Sequence, residues 1–309
     1  MREVVCEDLN LAIDDLRNQG FRLDLIYPAD DPYTAEMSRG GKGVRITTRP
    51  DAPGPSSDLP PFTPEFILTQ GGTSVAGRAG MNYRDLLPGR LGGRYIASHI
   101  TIPVGGPVAD WVHYHRIRWQ MIYVHRGWAR VVYEDQGAPF VMEAGDLVLQ
   151  PPEIRHQVLE SSAGLEVIEI GCPALHATFA DHEMALPTGK ADRDRNFSGQ
   201  RFLHHVAKEA PWIPFGSGAA RETGMRTATG GIAEVRMIRP NGPMEFPAHH
   251  GELVFGFVIA GSARLDFRGD HEIDLADAFV IPPEEEWSIL NSSADFQLLH
   301  VTTSKLHED

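Results

Sequence analysis

Hydrophobic and polar residues alternate in short runs along most of the chain beyond residue 64. Gly, Pro and Asp separate the runs, which are RYIASHITIP, QMIYVH, ARVVYED, DLVLQPP, LEVIEIG, AEVRMIRP, LVFGFVIAG, ARLDFRG, AFVIPP and FQLLHVTT. A period of two places successive side chains on opposite faces of a strand. Many short strands with turns at this spacing predict an all-β sandwich or barrel.

The first 48 residues follow a different pattern. VVC is typical of a short strand, and DLNLAIDDLRNQG predicts a helix that Asp8 caps. FRLDLIYPAD and GVRITT predict further strands, and the Pro- and Ser-rich residues 49–64 form a linker by composition. We therefore expect a small βαβ segment at 1–48, a linker at 49–64 and two β-rich domains at 65–185 and 186–309.

The predicted strands repeat within the chain. When Gly127 is placed on Gly261, ARVVYED aligns with ARLDFRG, and DLVLQPPEIRHQVLESSAGLEVIEI aligns without a gap with DAFVIPPEEEWSILNSSADFQLLHV. The Pro-Pro and Ser-Ser pairs coincide in the two copies. An internal duplication of about 65 residues per copy predicts two tandem barrels rather than a solenoid.

Composition narrows the class of protein and its partners. The chain has 309 residues and is 42% hydrophobic, which is enough for a substantial core. Its net charge of -14 disfavours nucleic acid and anionic membranes as partners. The sequence has no apolar run of about 18 residues and no signal-like N-terminus, so we expect a cytoplasmic protein. Cys6 and Cys172 are too far apart in sequence to suggest a disulfide framework or a metal clip.

The stretch WVHYHRIRWQMIYVHRG, at 111–127, holds histidines at a metal-ligand spacing. His113 and His115 are two residues apart on a predicted strand, so both imidazoles point to the same face. Gln120, on a neighbouring strand, and His156, in the turn after PPEIR, can meet them inside a barrel. Three neutral imidazoles and one oxygen donor predict a site for one divalent first-row metal ion, with open positions for water or substrate.

The spacing of these residues resembles the two sequence motifs of the cupin superfamily. His113, His115 and Gly127 match the first motif, G(x)5HxH(x)3-4E(x)6G, and Gln120 stands in place of its glutamate. With the duplication, the chain is similar to a bicupin. The resemblance implies two double-stranded β-helix (jelly-roll) barrels with a metal ion in the first.

The second motif of that superfamily, G(x)5PxG(x)2H(x)3N, lies further along the first copy. Gly145, Pro151 and His156 match it, whereas Glu153 replaces the glycine and Glu160 the asparagine. Together the two resemblances cover residues 90–173 and, more weakly, 228–303. The N-terminal segment separately resembles part of one βαβββ module of the glyoxalase (vicinal oxygen chelate) superfamily, and we expect a structural or oligomer-edge role for it.

Gln120 brings no negative charge to the expected ligand set. A divalent ion held by three imidazoles and an amide oxygen keeps its full charge, which favours an anionic substrate such as an enolate, catecholate or carboxylate. The alternative is an emptied site whose histidines have survived. The second copy has Pro247, His249, Val254 and Trp287 at the four ligand positions, so we expect no metal there. His250, Glu252 and His300 are the remaining candidates for a different site in that copy.

The cupin resemblance implies a non-haem dioxygenase with Fe(II), or with Mn, Ni, Zn or Co, acting on a small molecule. Tyr95, His99 and Tyr123 are the candidate catalytic residues, and Trp119 is a further candidate for the cavity wall. The first alternative is an isomerase or lyase acting on a keto acid or sugar derivative, with His99 or Glu169 transferring protons. The second is a non-catalytic module that binds a small ligand. We also expect a homodimer.

Overall fold

The N-terminal segment contains one helix and four strands. The computed structural model describes residues 1–56, 58–76 and 80–306, so the predicted linker and barrel segments include a few positions outside the described residues. The elements of this segment are β1 (Arg2–Val5), α1 (Leu9–Asn18), β2 (Arg22–Tyr27), β3 (Thr34–Arg39) and β4 (Lys42–Thr47). Asp8 caps α1 as predicted, because its carboxylate accepts the Leu11 N–H at 3.0 Å. The sequence analysis missed β3, which makes the segment βαβββ in element order.

Within the described residues, thirteen strands and one helical turn follow the N-terminal segment up to residue 180. They are β5 (Ile67–Thr69), β6 (Val75–Ala76), β7 (Asn82–Asp85), α2 (Arg90–Gly93), β8 (Ile96–Ile102), β9 (Gly106–Pro107), β10 (His113–His115), β11 (Trp119–Arg126), β12 (Trp128–Tyr133), β13 (Phe140–Glu143), β14 (Leu147–Gln150), β15 (His156–Ser161), β16 (Leu165–Cys172) and β17 (Thr178–Ala180).

Eleven strands, one short helix and a 3-10 turn (Ala207–Glu209) complete the part of the chain that the structure describes. The strands and helix are β18 (Leu203–His205), β19 (Ile213–Phe215), β20 (Gly218–Glu222), α3 (Met225–Ala228), β21 (Ala233–Pro240), β22 (Met244–Phe246), β23 (Val254–Ala260), β24 (Ala263–Asp266), β25 (Asp270–Ile273), β26 (Ala278–Ile281), β27 (Trp287–Leu290) and β28 (Gln297–Thr303). The predicted all-β class is therefore confirmed.

Each barrel consists of two sheets that face one another. In the first barrel the outer sheet has the order β17-β10-β15-β12-β13, and the inner sheet has the order β18-β14-β11-β16-β8-β7-β6. In the second barrel the inner sheet is β19-β20-β21-β28-β23-β26-β5, and the outer sheet is β22-β27-β24-β25. β2 pairs with β17, so the N-terminal strands extend the outer sheet of the first barrel in the order β1-β4-β3-β2.

The sheets do not divide at the boundaries predicted from the sequence. β5 lies in the predicted first barrel, 65–185, but pairs with β26 of the second. β18 lies in the predicted second barrel, 186–309, but pairs with β14 of the first. Each barrel thus takes an edge strand from the other barrel's segment, which ties the two together through backbone hydrogen bonds.

The duplicated turns show why the same residues recur in both copies. Gly127 and Gly261 have φ angles of 76° and 71°, a left-handed conformation that glycine adopts at little cost. The Ser162 hydroxyl accepts the Trp128 N–H at 3.0 Å, and Ser293 accepts the Ser262 N–H at 2.9 Å. The repeated serines therefore stabilise one turn in each barrel.

The two inner sheets pack against each other and form a core between the barrels. Because side chains alternate along a strand, Gln120 facing the first barrel's interior directs Trp119 and Tyr123 to this interface. Phe255 and Phe257 of β23 lie in the same core. Trp287, by contrast, lies inside the second barrel.

A buried ion pair crosses the interface. Arg94 makes a two-point contact with Glu252, with Nε and Nη2 at 2.9 and 2.8 Å from its carboxylate oxygens, and both side chains are 8% exposed. Tyr95 donates its hydroxyl to the same carboxylate at 2.9 Å, and the Leu306 N–H donates to it at 3.0 Å. Four donor groups thus converge on one carboxylate between the barrels.

Candidate metal centre

Three histidines meet on the outer sheet of the first barrel. His113 and His115 lie on β10, and His156 begins β15 directly opposite His113 in the antiparallel ladder. All three side chains are buried, and each offers one ring nitrogen within 4.8 Å of those of the other two. The strand alternation predicted for His113 and His115 places both rings in one cavity with His156.

Backbone and hydroxyl groups orient the three imidazoles. His113 Nδ1 donates to the Trp111 carbonyl at 2.7 Å, and His156 Nδ1 donates to the Ile154 carbonyl at 3.0 Å. A carbonyl only accepts, so Nδ1 carries the proton and Nε2 keeps its lone pair. His115 Nδ1 is 3.1 Å from the Thr178 hydroxyl. Such partners fix the ring orientation and tautomer of metal-ligating histidines.

Gln120 lies on the opposite wall of the same cavity, on β11 of the inner sheet. Its amide Nε2 donates to the carboxylate of Glu169 on the adjacent strand β16. A carboxylate accepts, so this contact fixes the amide and turns Oε1 away from Glu169. Gln120 Oε1 is buried and has no hydrogen-bond partner. A buried oxygen without a partner is costly, and a cation in the histidine cluster would supply one.

A fourth histidine, His176, lines the cavity. It is 1% exposed, and its ring centroid is 5.3 Å from that of His115. Its Nδ1 donates to the Pro173 carbonyl at 3.1 Å, and its Nε2 is buried without a partner. Burial lowers the pKa of His176. Thr178 begins β17, and His176 lies two residues before it. Continuing the strand alternation backwards from Thr178 places His176 on the same face, and this signal could have found it.

The N-terminal segment contributes to the cavity through the loop after β2. Ala29 and Asp30 line the cavity, and the Ala29 N–H donates to the His176 carbonyl at 3.1 Å. Asp30 pairs with Arg90 through Oδ2, while its Oδ1 is buried without a hydrogen-bond partner. The segment predicted to have only a structural or edge role therefore supplies part of the wall beside the histidines.

The remaining wall of the cavity is largely apolar. Its volume is about 110 Å³, and isoleucines and valines of both sheets close it. Tyr133 stacks on His156 with ring centroids 5.4 Å apart, and its hydroxyl accepts the Gln150 amide at 2.8 Å. Burial raises the pKa of Tyr133, so the phenol stays protonated. The cavity is therefore small and mostly apolar, with its polar groups at the histidine cluster, at Gln120 with Glu169, and at Asp30 and Gln150.

Comparison with known proteins identifies the architecture. The family model described as "Cupin domain" matches residues 98–171, which include the histidine cluster, Gln120 and Glu169. No curated protein sequence matches the chain. Among solved structures, a mutant of oxalate decarboxylase OxdC from Bacillus subtilis superposes with a TM-score of 0.57 at 14% identity, covering 88% of each chain. Residues 98–171 match a cupin domain, and the chain as a whole has a two-barrel, bicupin fold.

Two further structures resemble this bicupin. Protein Ylba from E. coli has a TM-score of 0.58 at 11% identity and covers 79% of this chain and 93% of its own. A mutant of salicylate 1,2-dioxygenase from Pseudoaminobacter salicylatoxidans has a TM-score of 0.54 at 16% identity and covers 72% and 75%. At these identities the likeness establishes the fold alone. No helix of the described residues is long and apolar enough to span a bilayer.

Glutamate replaces the glycine of the second cupin motif at the same turn in both barrels. Glu153, in place of glycine, has a φ of 60°, and its N–H donates to the His115 carbonyl at 3.1 Å. Glu284 occupies the same place in the second barrel, with a φ of 64° and a 2.9 Å bond to the His249 carbonyl. A glutamate is strained at a positive φ, but in both copies this conformation allows the N–H bond that closes the turn.

Three residues proposed as catalytic from the sequence lie outside the cavity of this bicupin. Tyr95 and Tyr123 are 0% and 2% exposed in the core between the barrels, on the opposite face of the sheet from Gln120. His99 faces the second barrel, with its ring centroid 5.8 Å from that of Phe257 and its Nε2 2.8 Å from Glu166. The expectation that they line the metal cavity is wrong, and the same correction holds for Trp119.

The arginines near the motif do not line the cavity either. Arg94 pairs with Glu252, and Arg155 pairs with Asp181 at 3.0 Å. Arg116 is an exposed partner of Glu153 at 3.3 Å. Because Glu252 is paired with Arg94, it does not belong to the alternative site with His250 and His300 that was considered for the second barrel.

His125 is buried between the barrels. It is 6% exposed, its ring packs 5.2 Å from that of Phe257, and neither ring nitrogen has a hydrogen-bond partner. Burial lowers the pKa of His125 from 6.5 to about 4. The folded protein therefore keeps this ring neutral over a pH range in which an unfolded chain protonates it.

The lowered pKa of His125 predicts how the free energy of unfolding changes with pH. Between pH 6.5 and about 4 the unfolded state binds one more proton at His125, so the free energy of unfolding falls as the pH is lowered. In His125→Phe, which keeps an aromatic ring beside Phe257, the slope should decrease by up to about 1.4 kcal/mol per pH unit. Urea denaturation of both proteins from pH 7 to 4.5 measures this slope.

Proposed function

We propose that the first barrel binds one divalent first-row metal ion through His113, His115 and His156, with the Gln120 amide oxygen as fourth ligand. The observation that carries the proposal is the set of three buried imidazoles with nitrogens within 4.8 Å of one another, of which His113 and His156 carry their proton on Nδ1. The orphaned Oε1 of Gln120 supports the fourth ligand. Fe(II) is the proposed ion, with Mn, Ni, Zn and Co as alternatives.

The donor set and the cavity indicate the class of substrate. Three neutral imidazoles and an amide leave the charge of the ion unbalanced, and Glu169 adds one carboxylate next to Gln120. Because none of the four proposed ligands carries a charge, the ion would keep its own charge at the open positions and favour an anionic substrate there. The cavity volume of about 110 Å³ is smaller than the roughly 150 Å³ cavity that holds benzene in an engineered protein core. A small aliphatic enol or carboxylate fits this volume better than a catechol.

We propose a metal-dependent oxygenase as the activity. A bound ion of this kind would supply the redox or Lewis-acid chemistry that the reaction needs. The chain's own residues orient and enclose the reactants. His176 Nε2, buried in the wall without a partner, is positioned to hydrogen-bond the substrate. The isoleucines and valines of the wall exclude water, which strengthens every polar contact inside.

The test of this activity is oxygen uptake by metal-reconstituted protein with a panel of small 1,3-dicarbonyl compounds and 2-keto acids. We expect substrate-dependent oxygen consumption that stops in His115→Ala while the circular dichroism spectrum of the fold is retained. Turnover of the same panel under strict anaerobiosis, with no oxygen consumed in air, would exclude an oxygenase.

A lyase or isomerase is the second candidate, and the small cavity volume favours it. The Bacillus subtilis structure that resembles this fold is an oxalate decarboxylase, and that protein has Mn(II) centres. A cavity of about 110 Å³ suits a substrate of that size class. The anaerobic assay distinguishes the two activities, because only the lyase or isomerase would turn substrate over without oxygen.

Gln120→Glu makes a direct prediction about the ligand set. A second carboxylate facing Glu169 in a buried wall is repelled when no metal is bound, so the metal-free variant should melt roughly 5 °C lower than wild type. The added carboxylate should also bind a divalent ion about tenfold more tightly. The increase in melting temperature on adding metal should therefore be larger in the variant.

The charge-swapped control for this prediction is Gln120→Glu combined with Glu169→Gln. It restores one carboxylate and one amide across the same contact, so the metal-free protein should melt near the wild-type temperature. Equal metal-induced shifts in wild type and in both variants would show that position 120 does not ligate the ion. Differential scanning fluorimetry with and without Mn(II) measures all three proteins.

A further inference from the structure

The mouth of the second barrel holds a cavity at the place that corresponds to the metal centre of the first. Its volume is about 620 Å³. Pro247, His249, Val254 and Trp287, which stand at the four ligand positions in the aligned repeat, all line it. Only one of the four, His249, is a metal-ligating residue type, and its Nε2 is 2.7 Å from the Leu253 carbonyl. The site has thus lost its ligands but kept a cavity.

One wall of this cavity is aromatic. Phe246 and Trp287 are stacked with ring centroids 3.9 Å apart and an angle of 4° between their planes. Both line the cavity, and Phe279 packs against Trp287 from the barrel interior with ring centroids 5.4 Å apart. The stacked pair is held by the core of the second barrel, so it presents a rigid apolar surface to the opening.

His300 supplies a polar group next to that wall. Its side chain is 6% exposed, lines the cavity and contacts the rings of Phe246 and Trp287. No hydrogen bond joins either ring nitrogen of His300 to a residue that the structure describes. Because the ring lines the cavity, a ligand bound there can form a hydrogen bond with it. His300 is therefore the polar anchor of the cavity.

The charges around the cavity favour an anion. Arg226 and Lys305 line it and are exposed, and neither forms an ion pair within the described part of the chain. Arg236, also in the wall, pairs with Glu234 at 2.7 Å and with Glu222 at 3.0 Å, so its charge is already compensated. Two unpaired cations make this opening locally positive on a chain whose net charge is -14. They raise the local concentration of small anions.

We propose that the second barrel binds a small aromatic carboxylate at this cavity without a metal ion. The ring packs on the Phe246–Trp287 wall, His300 donates or accepts a hydrogen bond, and Arg226 and Lys305 attract the carboxylate. A cavity of about 620 Å³ accommodates a single-ring acid, whereas the first barrel's cavity of about 110 Å³ does not. This site is separate from the proposed metal centre and does not depend on it.

Isothermal titration of chelator-treated full-length protein with benzoate tests the proposal. We expect one saturable site per chain. Acetate, which lacks the ring, and benzyl alcohol, which lacks the charge, should each bind at least tenfold more weakly, because each loses one of the two features. The double variant His113→Ala His156→Ala should bind benzoate with unchanged affinity, which assigns binding to the second barrel. Absence of saturable benzoate binding, or its loss in that double variant, would overturn the proposal.

Variants in the cavity locate the site. His300→Phe keeps the ring shape and removes the hydrogen bond, and it should weaken benzoate binding about tenfold. The surface variant Arg226→Gln Lys305→Gln cannot disturb the core and should weaken binding roughly fivefold. Arg193→Gln, an exposed arginine outside the cavity, is the matched control and should change nothing. Wild-type affinity in the surface double variant would contradict the assignment even if His300→Phe failed to fold.

Discussion

His156→Ala should abolish metal binding in the first barrel and, with it, the catalytic activity. His156 lies opposite His113 in the ladder between β10 and β15, with ring centroids 4.2 Å apart. Its loss leaves two imidazoles and an amide, which is an incomplete set for a first-row ion. Since removing a residue that merely orients a ligand costs about 10–100-fold in metal affinity, removing a ligand should cost at least a hundredfold.

Metal content after dialysis and turnover of the best substrate measure this effect. The control is His182→Ala, because His182 lies outside the cavity and its Nε2 is bonded to the Leu23 carbonyl. It should retain both metal and activity. His156→Ala protein that kept a full equivalent of metal would show that the three-histidine cluster is not the binding site.

Arg94→Ala should produce the largest loss of stability of any variant considered. The substitution leaves Glu252 buried between the barrels without its cationic partner, and breaking such a pair from one side costs roughly 3–5 kcal/mol. The Arg94 guanidinium also donates to the Pro60 and Leu306 carbonyls at 2.9 and 2.7 Å, so those contacts are lost as well. Urea denaturation at pH 7 measures the change.

The matched control for that prediction removes both charges. Arg94→Met Glu252→Gln keeps an amide oxygen to accept from Tyr95 and from the Leu306 N–H, and it leaves no buried charge. This double variant should recover most of the stability lost in Arg94→Ala. If the two proteins unfold at the same urea concentration, an unpaired buried charge is not the cause of the loss.

Much of the fold follows from local sequence patterns. Alternation predicted the strands, and the aligned glycines and serines predicted the duplication that the turns at Gly127 and Gly261 show. The sequence did not predict which strands pair when they are far apart along the chain. β5 and β18 cross between the barrels, and no periodicity within 67–69 or 203–205 reports which sheet a three-residue strand will join.

The sequence predicted the proposed metal ligands but not the rest of the cavity wall. Strand alternation predicted that His113 and His115 share a face, whereas the resemblance to the cupin motifs, rather than local geometry, predicted that Gln120 and His156 meet them. Tyr123 was misplaced although it is three residues from Gln120 on one strand, and alternation alone puts the two on opposite faces. His176 was missed because its position depends on β17 pairing with β10, which brings in a segment more than sixty residues from His113 in sequence.

The N-terminal segment shows how context adds function to a fragment. Its element order is that of a βαβββ module, and a relation to the glyoxalase superfamily stays a prediction. Within this chain it extends the outer sheet through β2 and places Asp30 in the wall of the metal cavity. The homodimer expected from the sequence likewise stays a prediction.

Elemental analysis of freshly purified, tag-free protein tests the central claim most directly. We predict close to one equivalent of a divalent first-row metal per chain, held in the first barrel, and a content near zero in His113→Ala His156→Ala. Less than a tenth of an equivalent in the wild-type protein, even after anaerobic reconstitution with Fe(II) or Mn(II), would contradict it.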